Sequence, residues 1–328
     1  MASRLELKDL VVRYGSGKHS LTAVDRVSLE VPESQTFGLV GESGCGKSTL
    51  ARALVGLVPV ISGQILLNGV DYTSVRSRST ADYRRRVQMV FQDPYSSLNP
   101  RMTVGRAIDE AITLRGVTAR REKRQLALRM LDLVGLGEPA LSRYPHQFSG
   151  GERQRIAIAR ALAVGPEVLI TDEITSALDV SVQATILNLL KNLQRETACS
   201  VLFISHDLSV VRYMSHRVGV MYLGQIVEHA PAAELFDRPR HPYTWALMRS
   251  IPRLGQPHNR APLTGDLPDP RRPPAGCRFH TRCPIGPLRF PERTICIDEE
   301  PRSIPEGQEH RSCCHFAGTV TQAIEASS

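Results

Sequence analysis

No run of this sequence stays apolar long enough to cross a bilayer. Its longest apolar stretches, such as Ala53 to Ile61, fall far short of the roughly 20 residues a spanning helix needs. The opening residues, Met1-Ala2-Ser3-Arg4-Leu5-Glu6, lack the apolar core of a secretory signal. Both absences lead us to expect a cytosolic chain that reaches the membrane only through partners. No internal repeat is visible, so each motif described below occurs once. Cysteine is nearly absent before the tail, where only Cys45 and Cys199 occur. What remains is ordinary in bulk: 328 residues allow one large domain and an appendage, and a hydrophobic fraction of 41% suits a globular chain. The net charge of +8 could suit nucleic acid. Much of the excess, however, lies at Arg120, Arg121, Lys123, Arg124 and Arg129, where a solvated helix face accounts for it.

The most informative segment is Gly41-Glu42-Ser43-Gly44-Cys45-Gly46-Lys47-Ser48-Thr49, which fits G-x-x-x-x-G-K-[ST]. Phe37 to Val40 before it read as the end of a buried strand. Leu50, Ala51, Ala53, Leu54 and Leu57 after it form an apolar face at helical spacing. A strand–loop–helix of this kind closes backbone N–H groups around phosphate oxygens, and the helix start adds partial positive charge. Lys47 is expected to reach the β- and γ-phosphates, and Ser48 to place its hydroxyl on magnesium.

Two further segments narrow the class. Phe148-Ser149-Gly150-Gly151-Glu152 precedes a strong helix-forming run, Ile156 to Leu162. Taken alone, Ser149 and Glu152 could be no more than an N-cap and its capping box. Shortly after comes Val168-Leu169-Ile170-Thr171-Asp172-Glu173, an apolar strand ending in two carboxylates, the pattern of a magnesium-organising strand end.

With these residues in view, nearly the whole chain resembles the ATP-binding subunits of ABC transporters. Gly41 to Thr49 match the Walker A loop, Gln92 the Q-loop, and Ser149 to Glu152 the family signature. Asp172 and Glu173 match the Walker B aspartate and catalytic glutamate. Ser176-Ala177-Leu178-Asp179 match the D-loop, His206 the H-loop, and Tyr14 the aromatic that stacks on adenine. Two positions depart from the family: Glu152 stands where glutamine is usual, and Ile174 where proline is usual. The resemblance implies an α/β fold, a P-loop ATPase with a RecA-like core, an antiparallel β subdomain and a helical subdomain at about 93–160. This domain should occupy 1–250, followed at 251–328 by a small Cys/Pro-rich domain.

It also implies chemistry. Asp172 holds magnesium, with Ser48 and Gln92 beside it. Glu173 polarises the attacking water, His206 contacts the γ-phosphate, and Gln92 senses magnesium and water. The signature of one subunit caps ATP on the loop of another, so a second, homologous ATPase subunit is expected. Two membrane permeases should dock at the helical subdomain, beside the Q-loop. ATPases of the broad family that remodel nucleic acid or ribosomes carry paired domains or a long coiled-coil insertion; neither is visible here, and no nucleic-acid partner is expected.

Coarse patterning agrees with this layout. Residues from about 4 to 90 alternate short β-like runs with turns before and after the phosphate loop. Residues 93–160 are helix-rich, with Leu126, Met130, Leu131 and Val134 on one face. Residues 165–230 alternate strand and helix. From Pro252 the composition changes: Pro257, Pro262, Pro268, Pro270, Pro273 and Pro274 break any long helix. Cys277, Cys283, Cys296, Cys313 and Cys314 crowd the tail, which in a cytosolic chain points to metal rather than disulfides.

His241-Pro242-Tyr243-Thr244 and the C-x5-C-P segment Cys277 to Pro284 resemble the oligopeptide, dipeptide and nickel branch of ABC importers. That resemblance implies peptide import powered by ATP, with nickel or oligosaccharide import as the nearest alternative. It also implies an extracytoplasmic binding protein that chooses the substrate. Some members hold a four-iron four-sulfur cluster on four thiolates, which places one on Cys277, Cys283, Cys296 and Cys314. Four thiolates also make a zinc set. Because this segment lies far along the chain from every ATP motif, a structural role is expected of it, as a folded cap independent of ATP binding.

Overall fold

A bulge explains how the first strand keeps one face apolar. Strand β1 (Ser3–Tyr14) buries Leu5 and Leu7, then Leu10 and Val12. Strict alternation would put these two pairs on opposite faces. Asp9, at φ 45°, sits within a shift of register against the next strand and restores the apolar face. Strand β2 (Leu21–Pro32) pairs antiparallel with β1, burying Val24, Val27, Leu29 and Val31. With β4 (Ser62–Leu67) and β5 (Val70–Asp71) they form an antiparallel sheet in the order β2-β1-β4-β5.

The computed structural model describes residues 3–17, 20–93, 97–176, 178–249, 265–301, 309–320 and 322. Ala177 and the prolines Pro252, Pro257 and Pro262 lie outside them. Within this range a second sheet runs in the order β11-β10-β9-β3-β8-β7-β6. Its strands β3 (Thr36–Val40), β6 (Val87–Val90), β7 (Val168–Asp172), β8 (Ser200–Ile204) and β9 (Arg217–Tyr222) are parallel. Every residue of β3, β7 and β8 is buried, as expected of central parallel strands covered on both faces. Strand β10 (Gln225–Pro231) turns back antiparallel on β9. A two-residue strand from the tail, β11 (Arg311–Ser312), completes the edge.

Helix α1 (Lys47–Leu54) leaves the phosphate loop, and α2 (Ala81–Arg86) precedes β6. Helices α3 (Val104–Leu114), α4 (Arg120–Leu133) and α5 (Gly150–Ala163) pack on one another as a helical subdomain. Thr103 caps α3 by accepting the Arg106 N–H at 3.4 Å. Helix α4 buries Ala127, Met130 and Leu131, with Leu126 partly covered. Arg120, Arg121, Arg124 and Arg129 are exposed on its other side, a solvated face. Helices α6 (Val180–Thr197), α7 (Leu208–Met214), α8 (Ala232–Asp237) and α9 (Pro242–Arg249) follow. No described helix is long and apolar enough to cross a membrane.

Two cores result. One lies between the antiparallel sheet, α1 and one face of the parallel sheet, around Leu5, Leu39, Leu50 and Ile204. The other joins the helical subdomain to the opposite face and continues into the tail, where Cys277, Phe279 and Cys296 belong to it. The tail thus shares the ATPase core and supplies a strand to its sheet.

Candidate functional site

The loop after β3 turns on glycines that nothing else could replace. A Cβ on Gly46, at φ 112°, would stand 2.1 Å from the Ala23 carbonyl oxygen; one on Gly41 would stand 2.1 Å from that of Met221. Gly46 is also the N-cap of α1 and offers no side-chain cap, so the first-turn N–H groups face the loop without a competing side chain. Gly44 has open space around it. The buried Lys47 ammonium donates to the carbonyls of Gly41 (2.9 Å) and Glu42 (3.0 Å) and lies 3.7 Å from Cys45 Sγ. Burial pushes the Cys45 thiol up and keeps it inert.

Ser48, in the first turn of α1, donates to Asp172 Oδ1 at 2.9 Å. Asp172 ends β7 and is 3% exposed; burial raises its carboxyl, and the Ser48 bond opposes that rise. A buried carboxylate beside a hydroxyl, at the mouth of a phosphate loop, is the donor set a magnesium ion uses when phosphates complete its shell. The residues fit that ion.

Glu173 follows with φ 47°, a strained setting for a non-glycine residue that costs on the order of 1–3 kcal/mol. Its N–H is held by the Ile204 carbonyl (3.0 Å), and its own carbonyl accepts from the Ser176 N–H (3.1 Å) and hydroxyl (2.9 Å). These bonds turn the carboxylate toward Gln92 Nε2 (3.4 Å) and His206 Nδ1 (3.3 Å). Gln92 also reaches Ser176 Oγ at 3.4 Å. Three strand ends, after β6, β7 and β8, thus bring Gln92, Glu173 and His206 together. Ile174, in place of the usual proline, is 2% exposed and packs into the core.

Tyr14, at the end of β1, is part-exposed, with its hydroxyl 3.5 Å from Thr49 Oγ1. Ser43 is exposed at the loop crest. The stretch Ser149-Gly150-Gly151-Glu152 opens α5 as a full capping box. Glu152 accepts the Ser149 N–H (2.8 Å) and hydroxyl (2.9 Å), and Ser149 accepts the Glu152 N–H (3.3 Å). The backbone N–H bond from Ser149 is the main reason the Glu152 carboxyl is held below its ordinary range. Gly151 is required by Val182: a Cβ there would lie 2.5 Å from Val182 Cγ1.

The tail meets this centre directly, against the expectation drawn from its distance along the chain. Arg282, inside the C-x5-C segment, binds Glu42 of the phosphate loop through two bonds of 2.7 and 3.0 Å. The Glu42 N–H donates to the Tyr243 hydroxyl at 2.9 Å. Sequence patterning assigned no role to Glu42 or Arg282. The only signal was an acid in one motif and a base in the other, 240 residues apart.

Cys277, Cys283, Cys296 and Cys314 are gathered in the tail: each thiol lies within electrostatic reach of the other three. The Cys277 N–H donates to the Cys296 carbonyl at 2.9 Å. Burial, first of all, pushes Cys277 up to about 11 and Cys314 up to about 12, and raises Cys283 and Cys296. Cys313 is tied instead to β10, its N–H on the Val227 carbonyl (2.7 Å) and its Sγ 3.5 Å from the Ile226 carbonyl. Yet no group of three or more His, Cys, Asp or Glu side chains among the described residues is arranged to hold a metal ion. The four thiols, Cys277 and Cys296 buried and Cys283 and Cys314 partly so, thus lie gathered in the tail without a closed coordination shell among the described residues.

A phosphate loop beside paired strand-end carboxylates, on a parallel sheet with a helical subdomain, defines a P-loop nucleotide hydrolase of the ATP-binding-cassette class. The ABC transporter pattern matches residues 24–176, and that of the oligopeptide/dipeptide transporter C-terminal region matches 227–286. The probable peptide ABC transporter ATP-binding protein y4tS of Sinorhizobium fredii (strain NBRC 101917 / NGR234) is 49% identical over 303 residues, 92% of this chain and 84% of the relative. The oligopeptide transport ATP-binding protein AppF of Bacillus subtilis (strain 168) is 46% identical over 299 residues, 90% and 89% of the two chains. Among solved structures, the ATP-binding cassette MJ0796, in a dimeric post-hydrolysis state bound to ADP and Pi, superposes with a TM-score of 0.63 at 28% identity, over 70% of this chain and 98% of that one. The chain belongs to the ATP-binding proteins of ABC transporters, in the oligopeptide/dipeptide branch.

Proposed function

We propose that this chain is the ATP-hydrolysing subunit of an importer of oligopeptides or dipeptides, working at the cytoplasmic face of the membrane. The observation that carries the enzymatic part is the Glu173 carboxylate, fixed between Gln92 and His206 one residue from Asp172. Bound magnesium would neutralise charge on the transferred phosphoryl group, and Asp172 and Ser48 would hold it, with Gln92 alongside. Glu173 orients and polarises the attacking water. His206 bonds the γ-phosphate, and Gln92 reports its presence to the helical subdomain. Lys47 and the N–H groups from Ser43 to Thr49 hold the phosphates, and Tyr14 stacks on adenine. Ser149, Gly150, Gly151 and Glu152 cap the ATP held by a second, homologous ATPase subunit, which returns the contact.

A groove of about 750 Å³ between β6 and the helical subdomain supports docking of one permease subunit, the second of the two expected falling to the partner ATPase. Leu57 and Leu114 line it with 62% and 61% of their surface exposed, and Met89 and Phe91 carry it toward Gln92. An apolar groove beside the catalytic glutamine is suited to pass closure of the ATPase pair to a membrane partner. An extracytoplasmic binding protein would select the substrate. The peptide assignment rests on the branch to which the chain belongs.

In the division we propose, 1–250 form the nucleotide-binding domain and 251–328 the C-terminal domain. Cys277, Cys283, Cys296 and Cys314 would hold a four-iron four-sulfur cluster. Four thiols gathered in one segment of the tail support this reading, with zinc as the alternative ligand of the same set.

The decisive experiment is Glu173→Gln in the assembled transporter. ATP binding should persist while turnover falls by roughly 10²-fold or more, the scale of losing a positioned proton acceptor. Turnover within a few-fold of the parent would overturn the assignment.

A further inference from the structure

Glu42 places a carboxylate in a loop that receives polyphosphate. A carboxylate there repels the ligand unless its charge is met. Three groups hold it, each by a different handle. Its carbonyl accepts from Lys47 (3.0 Å), its N–H is taken by Tyr243 (2.9 Å), and its carboxylate is gripped at both oxygens by Arg282 (2.7 and 3.0 Å). The Arg282 side chain is 5% exposed and that of Glu42 27%. Arg282 is fixed in turn by Tyr222, whose hydroxyl lies 3.5 Å away, and it sits next to Cys283. A planar fork matched to both carboxylate oxygens, in a site largely closed to water, is much stronger than a surface pair and fixes direction as well as charge.

We infer that Arg282 is a positioning residue for ATP: it cancels the charge of Glu42 and holds the first turn of the phosphate loop, with Lys47 on it, in the shape that receives phosphates. The inference rests on Gly41–Thr49 being the ATP loop. The C-terminal segment therefore belongs to the nucleotide site, and its folding sets the affinity for ATP.

The test is equilibrium binding of ATP and ADP to the full-length chain. Wild-type binding shows that the loop is an ATP site, and its failure would remove that underlying reading instead. Arg282→Ala should weaken ATP about tenfold, equivalent to 1.4 kcal/mol, because a half-buried carboxylate is left uncompensated beside the phosphates. The penalty should be smaller for ADP, which carries less charge. Arg282→Ala with Glu42→Gln should recover ATP binding to within about twofold, since the repulsion is gone although the bond is still missing. If the pair acted only by docking the tail, the double variant would be as weak as the single one and ADP would suffer equally; either result overturns the inference, as does wild-type affinity in Arg282→Ala. Should Arg282→Ala fail to fold, Glu42→Gln alone decides: binding within about twofold of wild type, or tighter, supports the electrostatic role, and a tenfold loss refutes it.

Discussion

Replacing Phe279 by alanine should destabilise the whole ATPase, although residue 279 stands well beyond the last ATP motif. Phe279 is 1% exposed. Its ring lies 5.3 Å from both Tyr222 and Tyr243, nearly edge-on to the first, and 5.9 Å from His241. Truncation of a buried phenylalanine costs about 3–5 kcal/mol through lost transfer energy and the remaining cavity. Each aromatic contact adds about 0.5–1.5 kcal/mol within that figure. At roughly 2–4 °C per kcal/mol for chains of this scale, the midpoint should fall by about 6–20 °C. Scanning calorimetry of the full chain should show one transition, shifted as a unit, because Phe279 shares its core with β9 and α9. Phe279→Leu, which keeps most of the volume, should recover more than half of the loss. Two separate transitions, with only the smaller one moved, would refute the reasoning and make the tail an independent domain.

Acid should loosen the same region. Burial depresses His229 and His241 to about 4, and His241 Nδ1 accepts the Tyr243 N–H at 3.1 Å, which requires it unprotonated. The unfolded chain therefore binds more protons below pH 6.5, and stability falls from about pH 6.5 to about 4 by on the order of 3 kcal/mol per histidine; His229→Asn should flatten a plot of midpoint against pH, and an unchanged slope would refute this. Leu114→Arg should leave stability within about 0.5 kcal/mol, as at other exposed sites, yet abolish co-purification with the permeases; retained complexes would move the docking surface elsewhere. Anaerobically prepared protein should absorb broadly near ~400 nm through sulfur-to-iron charge transfer. Serine at Cys277, Cys283, Cys296 or Cys314 should bleach it and serine at Cys313 should not, while a colourless protein with stoichiometric zinc would replace the cluster.

Much of the ATPase was legible because its signals are local. The strand–loop–helix around Gly41–Thr49 needs only adjacent residues to be read, and the apolar run ending at Asp172 and Glu173 likewise. The alternation of strand and helix through 165–230 gave the parallel core. What escaped reading was whatever depends on meeting across the chain. Strand β11 is two residues long and carries no period. Arg282 and Glu42 each look like surface charges until the fold closes them together. The tail's distance in sequence suggested separation from the ATP loop, but Phe279, packed against both Tyr222 and Tyr243, reverses that. Glu152 looked like a departure near a phosphate site. Its carboxylate is spent on the Ser149 N–H and hydroxyl, a role that either glutamate or glutamine can fill.

The order of synthesis gives the Glu42–Arg282 bond a further meaning. The two residues are 240 positions apart, so at about 5–20 residues per second the ribosome makes Arg282 roughly 12–48 s after Glu42. Through that interval the nascent chain carries the phosphate loop without its outer fastening and the parallel sheet without its closing edge strand. Synthesis of the tail then supplies both, Arg282 for the loop and Arg311–Ser312 for the sheet edge. A truncated product lacking the tail is thereby marked as unfinished at the nucleotide site itself, and quality control acting on loosely held chains would meet it before it could join a transporter and compete for permeases.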